Sequence, residues 1–76
     1  MAKALSRIIK IKNEINDLKK SYKKKPNPEK LTQIGKSLFI LGMVDEAIKT
    51  INQAITQNPD DPENYKLVGD YMNVKG

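Results

Sequence analysis

Seventy-six residues with no cysteine and no histidine leave a small chain without disulfides, thiolate metal sites or the imidazole most often used as a general base near neutral pH. The net charge of +5 is unevenly spread: residues 1–25 hold nine basic and two acidic side chains, whereas residues 26–76 hold five and seven. A segment of charge +7 is thus joined to one of −2 near Pro26-Asn27-Pro28, and two charge regimes point to two roles.

Lys3, Arg7, Lys10 and Lys12 interrupt the first twelve residues, so neither a signal peptide nor a membrane span is expected there, and the chain reads as soluble and cytoplasmic. From Ala4 to Lys24 the apolar residues Ala4, Ile8, Ile11, Ile15, Leu18 and Tyr22 alternate by four and three, the spacing of a heptad seam on one helix. Leu5 and Ile9 widen that stripe over the first two turns toward the breadth of a helix packed on a core. Lys23-Lys24-Lys25 complement the helix C-terminus, and Pro26 and Pro28 stop it.

Asn27-Pro28-Glu29 has the grammar of a helix start: Asn as N-cap, Pro at the first helical position, an acid in the first turn. This second helix is predicted to run to about Leu41, with Leu31, Ile34, Leu38 and Leu41 on one face and Gly42 as its stop. A third helix from Val44-Asp45 places Ala47, Ile48, Ile51, Ala54 and Ile55 on one stripe and ends before Asn58-Pro59. Asp61-Pro62-Glu63 repeats the start signal, and the last helix is assigned an apolar face of Tyr65, Val68, Gly69 and Met72, with Val74 near its end. No strand-like alternation occurs, so the fold class is all-α.

These elements recur with a period of 34 residues. Pro28, Glu29, Gly35 and Gly42 match Pro62, Glu63, Gly69 and Gly76, while Leu31, Ile34 and Leu38 pair with Tyr65, Val68 and Met72. In this the chain resembles the tetratricopeptide repeat, a 34-residue helix-turn-helix unit. Residues 28–61 resemble a complete repeat, with large residues at Leu31, Ile34, Leu38 and Ile51, small ones at Gly35, Ala47 and Ala54, and a closing Pro59. Leu31 departs from the family's frequent Trp. Residues 62–76 resemble the first helix of a second repeat, so that either this helix serves as a cap over the complete repeat, or the chain is a piece of a longer protein, or another chain completes it. The resemblance implies an α-solenoid fragment in which the small residues let antiparallel helices approach closely.

Residues 1–25 fall outside this register, because stepping back 34 from Ala47, Ile51 and Ala54 gives Asn13, Asp17 and Lys20. Three roles remain open for that helix: a cap on the repeat, a self-associating coiled coil through Ile8, Ile11, Ile15, Leu18 and Tyr22, or a helix free until a partner arrives.

The resemblance also implies a partner-binding groove on the first helix of each unit, here Glu29, Thr32, Lys36, Phe39 and Ile40, then Glu63, Lys66, Asp70 and Asn73. Phe39, the single Phe, lies off the predicted buried stripe and is either an exposed anchor or core covered by the N-terminal helix. The Lys and Asn pattern by which one subtype grips terminal carboxylates is not met, since its positions hold Thr32, Lys36, Lys66 and Asp70. Lys19, Lys20, Lys23, Lys24 and Lys25 surround Tyr22 in a patch suited to phosphates, with a solvated helix end as the plainer reading. Asp60, Asp61 and Glu63 are explained by capping rather than by a metal. No nucleophile–base pair, phosphate loop or metal motif is recognised, so no catalysis, cofactor or metal is expected. The sequence reads as a noncatalytic protein–protein interaction module for a peptide, helix or protein. The alternatives are a homo-oligomeric scaffold and a basic adaptor for nucleic acid or anionic membrane.

Overall fold

A computed structural model describes residues 2–76, with side chains from Leu5 onward. The chain is all-α, and four helices make up the described residues: α1 (Ala2–Lys24), α2 (Pro28–Ile40), α3 (Val44–Gln57) and α4 (Pro62–Lys75). Met1 and the side chain of Ala4, the first member of the heptad seam, lie outside the described residues.

The helix boundaries follow from local chemistry. Asn27 Oδ1 accepts from the Glu29 amide at 2.9 Å, and Asp61 Oδ1 accepts from the Glu63 amide at 3.0 Å. Each satisfies one orphan donor and stabilises its helix by about 1 kcal/mol. At the other end of α2, Gly42 takes φ 83°. Its amide donates to Phe39 O at 2.9 Å while the Met43 amide donates to Leu38 O at 3.0 Å, the paired bonds of a Schellman motif, in which a left-handed residue favours glycine. Lys30 Nζ donates to Ser21 O at 3.4 Å and Lys25 O at 3.3 Å, tying the carboxyl end of α1 to the start of α2.

The connections cover residues 25–27, 41–43 and 58–61. Links this short make neighbouring helices antiparallel. The α2/α3 pair forms the most extensive interface, with α1 on one side of it against α2 and α4 on the other against α3. The core comprises Ile15 of α1, Leu31, Ile34 and Leu38 of α2, Ala47, Ile51 and Ala54 of α3, and Tyr71 of α4. Gly35 sits at its tightest point: a Cβ there would lie 2.7 Å from Ile51 Cγ1, closer still to Cδ1, and 3.4 Å from the Ala47 carbonyl oxygen. Small residues do bring α2 and α3 together at this point, since a helix without a side chain at one position lets its neighbour's backbone and branched side chain move in.

Two sequence expectations need correction. Ile11, Ile15, Leu18 and Tyr22 do not form a free seam for self-association, because they pack into the core of their own chain, and the Tyr22 hydroxyl accepts from Gln57 Nε2 near the end of α3. Ile8, the remaining member of that set, is exposed, as are Leu5 and Ile9. The apolar face of α4 is also misassigned. Tyr65, Gly69 and Met72 are exposed and Val68 is half-buried, whereas Asn64 and Tyr71 are buried and Leu67 half-buried. The corresponding face of α2 is covered by α3. No described element covers that of α4, which packs through the stripe Asn64, Leu67, Val68 and Tyr71 instead.

Candidate functional site

The antiparallel arrangement sets α2 and α4 on a shared face, and there the predicted groove residues converge. Lys36 pairs with Glu63 across the two helices. Lys36, Glu63, Lys66 and Asp70 line an open cavity of about 580 Å³ together with Pro62 and Leu67. A smaller cavity of about 220 Å³ continues it toward the helix starts, between Glu29, Thr32, Gln33, Lys36, Asp61 and Glu63. Both members of the Lys36–Glu63 pair are about half exposed, so the pair contributes little to stability. What it does is hold a cation and an anion side by side on the rim.

Phe39 is not a free anchor. It is half-buried, and its ring stacks on Tyr71 at a centroid distance of 4.0 Å and an interplanar angle of 8°. Such an aromatic pair adds about 0.5–1.5 kcal/mol beyond the area it buries. Burial pushes the Tyr71 hydroxyl above the ordinary phenol range, with Lys36 pulling it down and Asp70 and Glu63 pushing it up, so this phenol belongs to the same electrostatic neighbourhood as the rim charges. Asn73 and Ile40 are exposed. Ile40 is the last residue of α2 and lies toward the end of the stack.

Thr32 is the groove position that the structure moves furthest from its expected role. It is buried, and its hydroxyl lies 2.7 Å from Asn64 Oδ1 and 3.3 Å from the Pro28 carbonyl oxygen. It therefore joins α2 to α4, and its hydroxyl is engaged within the fold. Asn64 is 1% exposed, and its Nδ2 has no partner. A buried amide already short of one bond cannot lose another cheaply. Thr32→Val is therefore expected to cost about 1–3 kcal/mol by stranding Asn64. Adding Asn64→Leu, which removes the orphan together with its partner, is expected to restore near-native stability in urea unfolding.

Elsewhere, Lys19, Lys20, Lys23, Lys24 and Lys25 are all exposed along the last turns of α1. They lie at the end of the stack where α2 and α4 begin and α3 ends. Asp61 and Glu63 act in the α4 cap, and among the described residues no group of His, Cys, Asp or Glu is placed to hold a metal ion. Tyr71 and Asn64 are the site residues that sequence reasoning missed. Their signal was present, since Asn64, Leu67, Val68 and Tyr71 are spaced i, i+3, i+4, i+7, but the 34-residue register placed them opposite Lys30 and Ser37 and favoured the neighbouring stripe.

Comparison with family models, with curated proteins and with solved structures finds no match to this chain. Among the described residues, no helix is long and apolar enough to cross a membrane.

Proposed function

We propose that this protein is a noncatalytic interaction module of tetratricopeptide-like build, which receives a peptide, helix or protein on the face shared by α2 and α4. The observation that carries the reading is the open cavity lined by Lys36, Glu63, Lys66 and Asp70. Two cations and two anions beside Pro62 and Leu67 suit a chain segment that presents both backbone polar groups and mixed charge, since each charge finds a complement and Leu67 offers an apolar contact. The aromatic pair Phe39–Tyr71 stiffens this face, so binding orders less of it. The 34-residue period and the close approach at Gly35 support the repeat-like build.

Immobilised protein is expected to capture a partner that is lost with Lys36→Glu and with Lys66→Glu, both exposed positions where a charge reversal leaves the core intact. Phe39→Ala is expected to weaken capture by loosening Tyr71. If Phe39→Ala and Lys36→Glu both leave capture in a pulldown unchanged, the groove assignment falls.

Self-assembly is the second reading, favoured by one observation. Tyr65, Gly69 and Met72 are exposed at the repeat positions where Leu31, Gly35 and Leu38 are buried. In this reading a second copy covers the outer face of α4, rather than pairing through the α1 residues that the core already uses.

A further inference from the structure

Most of the exposed large hydrophobic residues gather at one end of the stack, Tyr65 near the start of α4 being an exception. Helices α1 and α3 run one way and α2 and α4 the other, as the Tyr22–Gln57 bond at one end and the Lys75–Asp45 ion pair of 2.6 Å at the other show. The start of α1, the α2–α3 turn and the finish of α4 therefore lie at one end of the stack. Leu5, Ile8, Ile9, Ile40, Met43 and Val74 all belong to that end, and they are between 39% and 67% exposed. With 23 residues against 13 in α2, α1 is longer than its neighbour by about 15 Å at 1.5 Å per residue. Its first turns thus project past the packed region.

The charge of the same end is cationic. Arg7, Lys10 and Lys12 are exposed on the projecting turns, and no acid precedes Glu14 in the sequence. Asp45 is neutralised by Lys75, which leaves Glu46 as the acid opposing three cations. On a helical projection Leu5, Ile8 and Ile9 share one stripe, Lys12 flanks it one turn on, and Arg7 and Lys10 occupy the far side. A helix is about 10–12 Å across, close to one Debye length, so cations on its far side still feel a charged plane beneath the stripe.

We infer that this end of the stack docks on an anionic lipid surface, with Leu5, Ile8 and Ile9 entering the headgroup boundary, Lys12 meeting lipid phosphates and carboxylates, and Arg7 and Lys10 adding a longer-range attraction from the other side of the helix. An apolar stripe adjoined by Lys12, with a cationic opposite face, is the composition that binds in the plane of a membrane interface. The surface is separate from the α2–α4 cavity, so a docked protein keeps its partner face free.

The test is co-sedimentation of the full chain with vesicles of phosphatidylserine mixed equally with phosphatidylcholine, against vesicles of phosphatidylcholine alone. Partition onto the anionic vesicles is expected to exceed that onto the neutral ones. Leu5→Asp/Ile9→Asp and Arg7→Glu/Lys10→Glu are each expected to weaken it by at least about tenfold with an unchanged helical circular dichroism spectrum. Lys23→Glu/Lys24→Glu, at the opposite end, is expected to change it by less than about threefold. Equal partition onto both vesicle types, or loss caused only by the Lys23/Lys24 variant, overturns the proposal. So does light scattering that reports a dimer broken by Leu5→Asp/Ile9→Asp without vesicle binding, because the patch would then be a contact between copies. Capture of a protein partner through Lys36 is read separately and stands or falls on its own.

Discussion

Ile51→Ala is expected to destabilise the protein by about 2–5 kcal/mol, the range for truncating a fully buried branched side chain whose surroundings cannot collapse. Ile51 has no exposed surface and lies against the backbone of α2 at Gly35. A domain of this size has a total stability on the order of 4–11 kcal/mol, so the substitution removes a large share of it. The midpoint of thermal unfolding is expected to fall by about 10 °C or more. Ile40→Ala removes the same atoms from a residue that is 67% exposed and is expected to change stability by no more than about 0.5 kcal/mol. Circular dichroism melts of the two variants side by side decide the point: comparable losses would mean that α2 and α3 do not meet as described.

The contrast shows which parts of the fold were legible in the sequence. Caps and stops are local chemistry, so Asn27-Pro28, Gly42 and Asp61-Pro62 announced the helix boundaries to within a residue or so. The α2/α3 hairpin was legible too, because both faces of that contact lie within one chain and the apolar stripe of each helix has its complement in the other. What misled the reading was a rule applied where its partner is absent. The 34-residue register predicts which α4 residues are equivalent to buried α2 residues, but burial depends on having a neighbour, and no described helix covers Tyr65 or Met72. For α1 the reverse held: a strict four-three spacing fits a two-stranded seam and a packed globular helix equally well, and sequence alone carries no information about which neighbour is nearer. At the site, the grouping of Lys36, Lys66 and Asp70 was expected from the resemblance to the repeat family. Thr32–Asn64 and Phe39–Tyr71 depend on the rotation of α4 about its axis, which is set by tertiary packing and not by any short-range signal.

That rotation makes a pair of glycines the sharpest test. Gly35 and Gly69 occupy equivalent positions of the repeat, yet Gly35→Ala is expected to destabilise by up to about 2 kcal/mol while Gly69→Ala stabilises by about 0.5–1 kcal/mol. Replacing glycine by alanine inside a helix gains about 1 kcal/mol in both cases, because the unfolded chain loses freedom. At Gly69 nothing lies within 4 Å of the added Cβ, so the gain survives. At Gly35 the Cβ would press on Ile51 at Cγ1 as well as at Cδ1. The outer atom can turn aside, but Cγ1 is fixed to a side chain enclosed on every side, and overpacking of this kind costs about 1–3 kcal/mol. Combining Gly35→Ala with Ile51→Val, which deletes Cδ1, is expected to show favourable coupling in a double-mutant cycle, since the second change relieves part of the first. Urea unfolding of the three single and one double variants measures all of this. A destabilising Gly69→Ala would mean that the outer face of α4 is covered in solution, as the self-assembly reading requires, and its effect would then grow with protein concentration because the cover is another copy.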